Sequence, residues 1–286
     1  MAERESIKSP TLVTSVKETG VAVVVLNRPK KRNALSQDLI NELTGALSQL
    51  NKSPTVRAVI LTSSGAFPFC AGADLSELAE LSTAEAYRVG WLKDLEVAFS
   101  SFRKPIIAAV RGFAVSTWRH ARDTTCTSLP RMPLLWVGTN HLPMQCDMIF
   151  ASADAQFGFP EIKLGTIPGV GGTQRLTKTV GKHKAMEMIL TGSPATAREM
   201  ERLGVVNRIM TAEQDVVDEA LKVAQTMASF SAPAVGLAKE AVTAATTLHA
   251  GLQIERALYY SSFSLEDCQE GIAAFLEKRP AKFQHR

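Results

Sequence analysis

Apolar residues alternate or run together in short stretches along the first part of the chain, the pattern of strands rather than long helices. Leu12-Val13-Thr14-Ser15-Val16 and the run Val21-Ala22-Val23-Val24-Val25-Leu26 flank Lys17-Glu18-Thr19-Gly20, where the glycine accepts positive φ. Residues 11–26 therefore predict a hairpin. The period changes at Ser36, a good N-cap, after which Leu39, Ile40, Leu43, Leu47 and Leu50 share one helical face. Residues 58–61 read as a buried strand followed by a loop of small residues. Helical spacing continues over 84–102 through Ala86, Val89, Leu92, Leu95 and Phe99, and 104–110 is again a strand, led by proline. The recurring unit is strand, loop, helix. Further along, 147–151 and 155–159 read as short strands, 173–180, 182–190 and 195–203 as helices, and 205–209 as a strand. From 212 onward helices dominate, with Val217, Leu221, Ala224 and Met227 on one face and Ala234, Leu237, Ala238, Ala241 and Val242 on another. The pattern predicts an α/β core over 1–211 and a helical region over 212–286, joined without a low-complexity linker.

Composition removes several classes. Of 286 residues, 45% are hydrophobic and 21% charged, enough apolar surface for a core and too much for a disordered or collagen-like chain. No apolar run approaches the roughly 18 residues that a membrane span requires. The net charge of +4 comes from dispersed Lys and Arg without a basic block, which suits an anionic ligand better than nucleic acid. Cys70, Cys126, Cys146 and Cys268, without a secretory segment before them, predict reduced thiols rather than a disulfide framework. The start, Met1-Ala2-Glu3-Arg4-Glu5, is too acidic for a transit peptide. Rare residues are unevenly placed: of 3 Trp and 5 His, Trp118, Trp136, His120 and His141 fall in one stretch.

Two segments carry candidate chemistry. Phe69-Cys70-Ala71-Gly72-Ala73-Asp74-Leu75 stands where a strand ends and a helix begins. Its small residues let a ligand approach the backbone, and free N–H groups at a helix start can hold a developing negative charge; the plainer alternative is a tight turn. Phe157-Gly158-Phe159-Pro160-Glu161 precedes the run Gly165-Thr166-Ile167-Pro168-Gly169-Val170-Gly171-Gly172-Thr173. Burial among Phe157, Phe159, Pro160 and Ile162 would disfavour the charged form of Glu161 and suit it to proton transfer; the alternative is a surface carboxylate or a capping partner. The glycine run lacks the Gly-Lys-Ser/Thr of a P-loop and does not fit Gly-x-Gly-x-x-Gly with a properly spaced acid. His120, Cys126, His141 and Cys146 contain no Cys-x2-Cys or His-x3-His pair, so no metal is predicted. No Gly-x-Ser-x-Gly elbow supports a Ser/His/Asp triad.

Several motifs occur in one order: Leu26-Asn27-Arg28-Pro29-Lys30 with Asn33-Ala34-Leu35; residues 69–75; Lys104-Pro105-Ile106-Ile107-Ala108-Ala109-Val110 with Gly112-Phe113-Ala114; residues 157–172 continuing into Thr173-Gln174-Arg175-Leu176; and the tail Phe275-Leu276-Glu277-Lys278-Arg279. In that order and spacing the chain resembles the enoyl-CoA hydratase (crotonase) family. The resemblance implies an α/β fold, a crotonase-like spiral of β-β-α repeats with a helical C-terminal trimerisation region, assembled as a homotrimer or hexamer. It implies an acyl-CoA thioester substrate, with no cofactor beyond the CoA that is part of it, and no nucleic-acid or membrane partner. Ala73 matches one backbone donor of the family's oxyanion hole, and Glu161 matches the second of two glutamates that handle water and a proton. Ala71, Gly72, Ala73, Asp74, Leu75 and Ser76 match the substrate-binding loop, Ser76 replacing a frequent lysine and so weakening a phosphate contact, and Lys278 adds a contact from the tail. The resemblance points to the mitochondrial matrix, while the absence of a transit peptide or C-terminal Ser-Lys-Leu leaves cytoplasm or peroxisome open.

The resemblance breaks at one place. The family carries a motif close to Gly-Gly-Gly-Cys-Glu-Leu-Ala between its Gly-Phe-Ala and a Met-x-Cys-Asp strand. Here Gly112-Phe113-Ala114 and Met144-Gln145-Cys146-Asp147 are present, but residues 115–143 between them are much longer, contain no Glu, and include Pro130, Pro133 and Pro143. Each proline would cost about 3 kcal/mol inside a helix. The stretch reads as replacement plus insertion, of the kind a retained intron or a gene-model error would produce, and it predicts loss of the second oxyanion donor and the first glutamate. The leading expectation is an enoyl-CoA hydratase of fatty-acid β-oxidation, impaired by residues 115–143. The alternatives are an isomerase using a single glutamate, and an inactive acyl-CoA-binding splice product.

Overall fold

The computed structural model describes residues 3–64, 69–114, 117–118, 135–136, 141–244 and 254–286, except 255, 258, 263 and 278. The chain opens with β1 (Glu3–Lys8), β2 (Leu12–Lys17) and β3 (Val21–Leu26), an antiparallel meander. The predicted hairpin is β2 and β3, with Leu12 opposite Leu26. Gly20 closes it at φ +81, where a Cβ would lie 2.9 Å from the Thr55 carbonyl oxygen. The apolar pattern does not announce β1, because charged Glu3, Arg4 and Glu5 occupy half of it.

Helix α1 (Gln37–Lys52) begins as predicted: Ser36 accepts from the Leu39 N–H, and Leu39, Ile40, Leu43, Leu47 and Leu50 are buried. Each such side chain contributes roughly 2 kcal/mol by leaving water. After β4 (Ala58–Ser63), the chain forms α2 (Leu75–Glu80), α3 (Thr83–Val89) and α4 (Lys93–Ser100). The single helix expected over 84–102 is thus two. Gly90 caps α3 in the left-handed region at φ 62, and Leu92 follows at φ 65, so the apolar face is re-aimed: Leu95 and Phe99 are buried while Val89 is 43% exposed.

The main sheet has seven strands in the order β1-β2-β3-β4-β5-β9-β12, with β5 (Ile106–Val110), β9 (Met148–Ser152) and β12 (Arg208–Met210). From β3 to β12 neighbouring strands are parallel. Successive side chains point to opposite faces. Ala22, Val24, Leu26, Val59, Leu61, Ile106, Ala108 and Val110 join the core beneath α1 and α4, whereas Val21, Ala58, Ile60, Ile107 and Ala109 face α8 (Val216–Ala228). The buried stripe of α8 is Val216, Ala220, Ala224 and Ala228, about one residue displaced from the expected face; Val217, Leu221 and Met227 are partly buried beside it. Alanines let the helix lie close to the sheet, so small residues rather than the largest apolar ones define the contact.

A second, smaller sheet joins β6 (Phe113–Ala114), β10 (Gln156–Phe157) and β11 (Ala195–Thr196), the last leading into α7 (Ala197–Arg202). Between β10 and β11 lie α5 (Gly172–Val180) and α6 (Lys182–Thr191). Within residues 115–143, β7 (Thr117–Trp118) pairs antiparallel with β8 (Leu135–Trp136), although the sequence shows no strand periodicity there. The end of this stretch is not foreign to the core: His141 and Leu142 are buried, and Pro143 opens a 3-10 turn, Pro143–Gln145, where a missing N–H is harmless. Its other residues lie outside the described ones.

Helix α9 (Ala232–Thr243) has no fully buried residue, so among the described residues the face predicted for it is not sealed; Val242 is 76% exposed. Lys239 ties it down: Nζ is 2.8 Å from Asp147 Oδ2, donates to the Lys104 carbonyl and lies over the Phe102 ring. Asp147 also accepts from the Ile106 N–H. Lys239→Met is expected to destabilise α9 by about 1 kcal/mol, read as faster amide exchange across 232–243 with the sheet amides unchanged.

Candidate active site

Strands β3, β4, β5 and β9 are parallel neighbours, so the loops leaving their carboxyl ends emerge along one edge of the sheet. Those loops begin with Asn27, Ser64, Arg111 and Ala153, and they lead into the motif segments singled out above. In open α/β sheets this edge is where ligands bind.

The first two loops are clamped together by Arg28. Its Nη1 donates to the Ala34 carbonyl at 2.6 Å, and its guanidinium reaches Asp74 Oδ2 at 3.2 Å. Its own N–H donates to Asn33 Oδ1, and Arg32 and Asn33 take φ of 52 and 56 to bring the chain back. Leu35 then pairs with the small-residue loop: its N–H donates to the Gly72 carbonyl at 2.7 Å, and its carbonyl accepts from the Asp74 N–H at 2.9 Å. In a parallel bridge those bonds use one side of the strand, which turns the Ala73 N–H to the other. Ala71 and Gly72 are buried; Ala73 and Leu75 are half-buried.

Asp74 caps α2, accepting from the Ser76 N–H at 3.2 Å and the Ser76 hydroxyl at 2.6 Å. Burial opposes its charge. Hydrogen bonds from Ser76 and Arg28, with the Lys31 charge, outweigh that and hold its carboxyl below the ordinary value. Both Asp74 and Ser76 are therefore engaged in shaping the loop. Lys278 lies outside the described residues.

Glu161 sits in the 3-10 turn Pro160–Leu164, which Gly165 closes at φ 73. Strand β10 carries it there, held between β6 and β11. Phe157, Phe159 and Pro160 are buried around it as expected, whereas Ile162 is 37% exposed. Glu161 is only 6% exposed, and its Oε1 is 3.0 Å from His141 Nε2. Glu161 Oε2 and His141 Nδ1 have no hydrogen-bond partner among the described residues. A buried polar atom left unpaired costs about 1–3 kcal/mol, and such costs concentrate where a group has work to do. The glycine run is explained by what it makes room for. A Cβ on Gly172 would lie 1.8 Å from His141 Nδ1, and one on Gly171 would lie 2.1 Å from Arg175 Nη1. Gln145 and Arg175 both donate to the Val170 carbonyl, fixing this turn against the 3-10 turn that follows His141.

The crossed-over parallel sheet, with an outward backbone N–H and a buried acid served by one edge, is shared with solved enoyl-CoA hydratase structures and is of the crotonase fold. The chain belongs to the enoyl-CoA hydratase/isomerase family, whose pattern matches residues 16–117 and 136–286. It is 42% identical over 268 residues to the probable enoyl-CoA hydratase echA8 of Mycobacterium bovis, covering 93% of this chain and 95% of that protein. It is 42% identical over 270 residues to the mitochondrial enoyl-CoA hydratase of Pongo abelii, covering 94% and 85%. The crystal structure of an enoyl-CoA hydratase subunit from Geobacillus kaustophilus superposes with a TM-score of 0.84 at 35% identity, covering 96% of this chain and 98% of that one.

The family match passes over 118–135 and resumes before His141. The sequence does not bring His141 into the site, because residues 115–143 read as one foreign block. The signal that finds it is a count. In the family's motif the glutamate stands three residues before the Met of Met-x-Cys-Asp, and three residues before Met144 stands His141, followed by Leu142 where the motif has Leu.

The hydrogen bonds that Asp74 accepts from Ser76 and Arg28 have a pH signature. Because the folded carboxyl titrates below its free value of 3.8, its stabilisation is complete above that value and is lost as pH falls through the folded one. Asp74→Asn is expected to lower unfolding free energy by about 1–2 kcal/mol at neutral pH. Denaturant titrations should show that difference constant at mildly acidic pH and shrinking below pH 3.8.

Proposed function

We propose that the chain adds water across C2=C3 of a 2-enoyl-CoA to give the 3-hydroxyacyl-CoA of fatty-acid β-oxidation. The observation that carries this reading is the buried Glu161, with one carboxylate oxygen unpartnered among the described residues, on a loop from the same sheet edge that presents the Ala73 N–H. Addition of water at C3 moves the π electrons onto the thioester as an enolate. In this reading the Ala73 N–H holds that oxygen as its charge develops, which is where a fixed donor lowers the barrier most. Glu161 supplies the acid–base group that delivers a proton to C2.

CoA is part of the substrate, and the reaction needs no further cofactor. Lys30 and Lys31, exposed in the 3-10 turn Pro29–Lys31 at this edge, offer positive charge for its phosphates where Ser76 offers none. Exposed apolar residues on and near α9, Phe230 at 50% and Val242 at 76%, with Tyr259 and Tyr260, support assembly as a homotrimer or hexamer. Action in the mitochondrial matrix rests on likeness to the mitochondrial relative alone. The hydratase names of the relatives favour hydration over double-bond isomerisation.

Crotonyl-CoA, followed by loss of the conjugated thioester's absorbance, tests the reading. Wild-type protein is expected to turn it over, and Glu161→Gln to bind acyl-CoA while slowing turnover by about a hundredfold or more. Binding without turnover by the wild type, or full activity in Glu161→Gln, would show the hydratase reading to be wrong.

A further inference from the structure

The contact between His141 and Glu161 is built, not incidental. The imidazole is 1% exposed, its Nε2 is 3.0 Å from Glu161 Oε1, and the Phe159 ring meets it edge-on with centroids 5.4 Å apart. On its other side only a glycine fits, since a Cβ on Gly172 would fall 1.8 Å from Nδ1. The ring thus packs against Phe159 and close to Gly172 while its Nε2 meets the carboxylate.

The hydrogen-bonding capacity of the two groups links their roles. With Glu161 ionised, as a proton acceptor must be, its carboxylate only accepts, and the contact then needs a proton on Nε2. Nδ1 lies buried without an acceptor among the described residues, which places the ring's lone pair there. With Nε2 spent on Glu161 and Nδ1 against Gly172, His141 has no nitrogen left for a substrate. Glu161 Oε1 is likewise taken, and among the described residues the buried Oε2 has no partner.

We propose that His141 is the positioning residue of the acid–base centre: it holds Glu161 through Oε1 so that Oε2 alone carries both proton steps. The proposal rests on the hydratase reading above. Oε2 takes a proton from water as the water oxygen bonds to C3, and the C2=C3 π pair moves onto the thioester as the enolate. The enolate then collapses, C2 takes the proton from Oε2, and Glu161 is again a carboxylate. Water is consumed whole and no other reactant is needed. The chain would thus work with a histidine and one glutamate where its family uses two glutamates, and residues 115–143 would have changed the centre without abolishing it.

Steady-state kinetics on crotonyl-CoA with His141→Ala and His141→Gln, together with imidazole 15N NMR of the wild type and Glu161→Gln, test this. His141→Ala should lower kcat by about a hundredfold with KM unchanged, the loss expected when a reacting group is misplaced. His141→Gln, which keeps an N–H donor, should recover most of that loss. The NMR should show His141 as the Nε2–H tautomer, with an Nε2 resonance that moves in Glu161→Gln. Wild-type kcat in His141→Ala, glutamine no better than alanine, or a proton on Nδ1 would each overturn the proposal. The tautomer and its response to Glu161→Gln need no turnover, so failure of the pairing is distinguished from failure of the hydratase reading.

Discussion

Parallel pairing of β3, β4, β5 and β9 is the constraint on which the rest of the structure depends. It sends neighbouring chain segments out of one sheet edge, and so gathers residues as far apart in sequence as Arg28, Ala73 and Glu161 into segments that leave the same side. The strands can hold this register because both faces are covered. Alternate side chains enter the core under α1 and α4 or the one under α8, and a slip by one residue would exchange the two sets.

What the edge presents is then decided by polar contacts within its loops. Arg28 joins the loop after β3 to the loop after β4, and the Leu35 bridge uses the backbone groups of Gly72 and Asp74, turning the Ala73 N–H outward. Gly172 makes space for the His141 ring, and that ring meets the buried Glu161. Gly171 and Gly172, in a run that fits no nucleotide-binding signature, serve close packing of side chains here.

Much of this is legible in the sequence where a single period governs a single element. The face of α1 is complete in Leu39, Ile40, Leu43, Leu47 and Leu50 because that helix packs on one surface along its whole length. Reading fails where the partner decides. The stripe of α8 follows alanines because the sheet sets the approach distance, and the helix expected over 84–102 breaks because Gly90 and Leu92 adopt left-handed backbone that periodicity does not register. Glu161 is found from its apolar neighbours, whose burial the structure bears out except at Ile162. His141 escapes because nothing local marks it. Its role is relational, visible only by counting back from Met144 or by seeing which carboxylate it meets.

The account treats residues 115–143 as a stretch whose last residues return to the core and restore a partner for Glu161. Its central claim is that the edge formed by the loops after β3, β4, β5 and β9 is where a thioester reacts. The most direct measurement is a crystal structure with butyryl-CoA, a saturated thioester that cannot be hydrated. The account predicts the thioester oxygen within hydrogen-bond distance of the Ala73 N–H, C2 beside Glu161 Oε2, and His141 still on Oε1. A thioester bound away from this edge, or one that reaches Glu161 only by displacing His141, would contradict it.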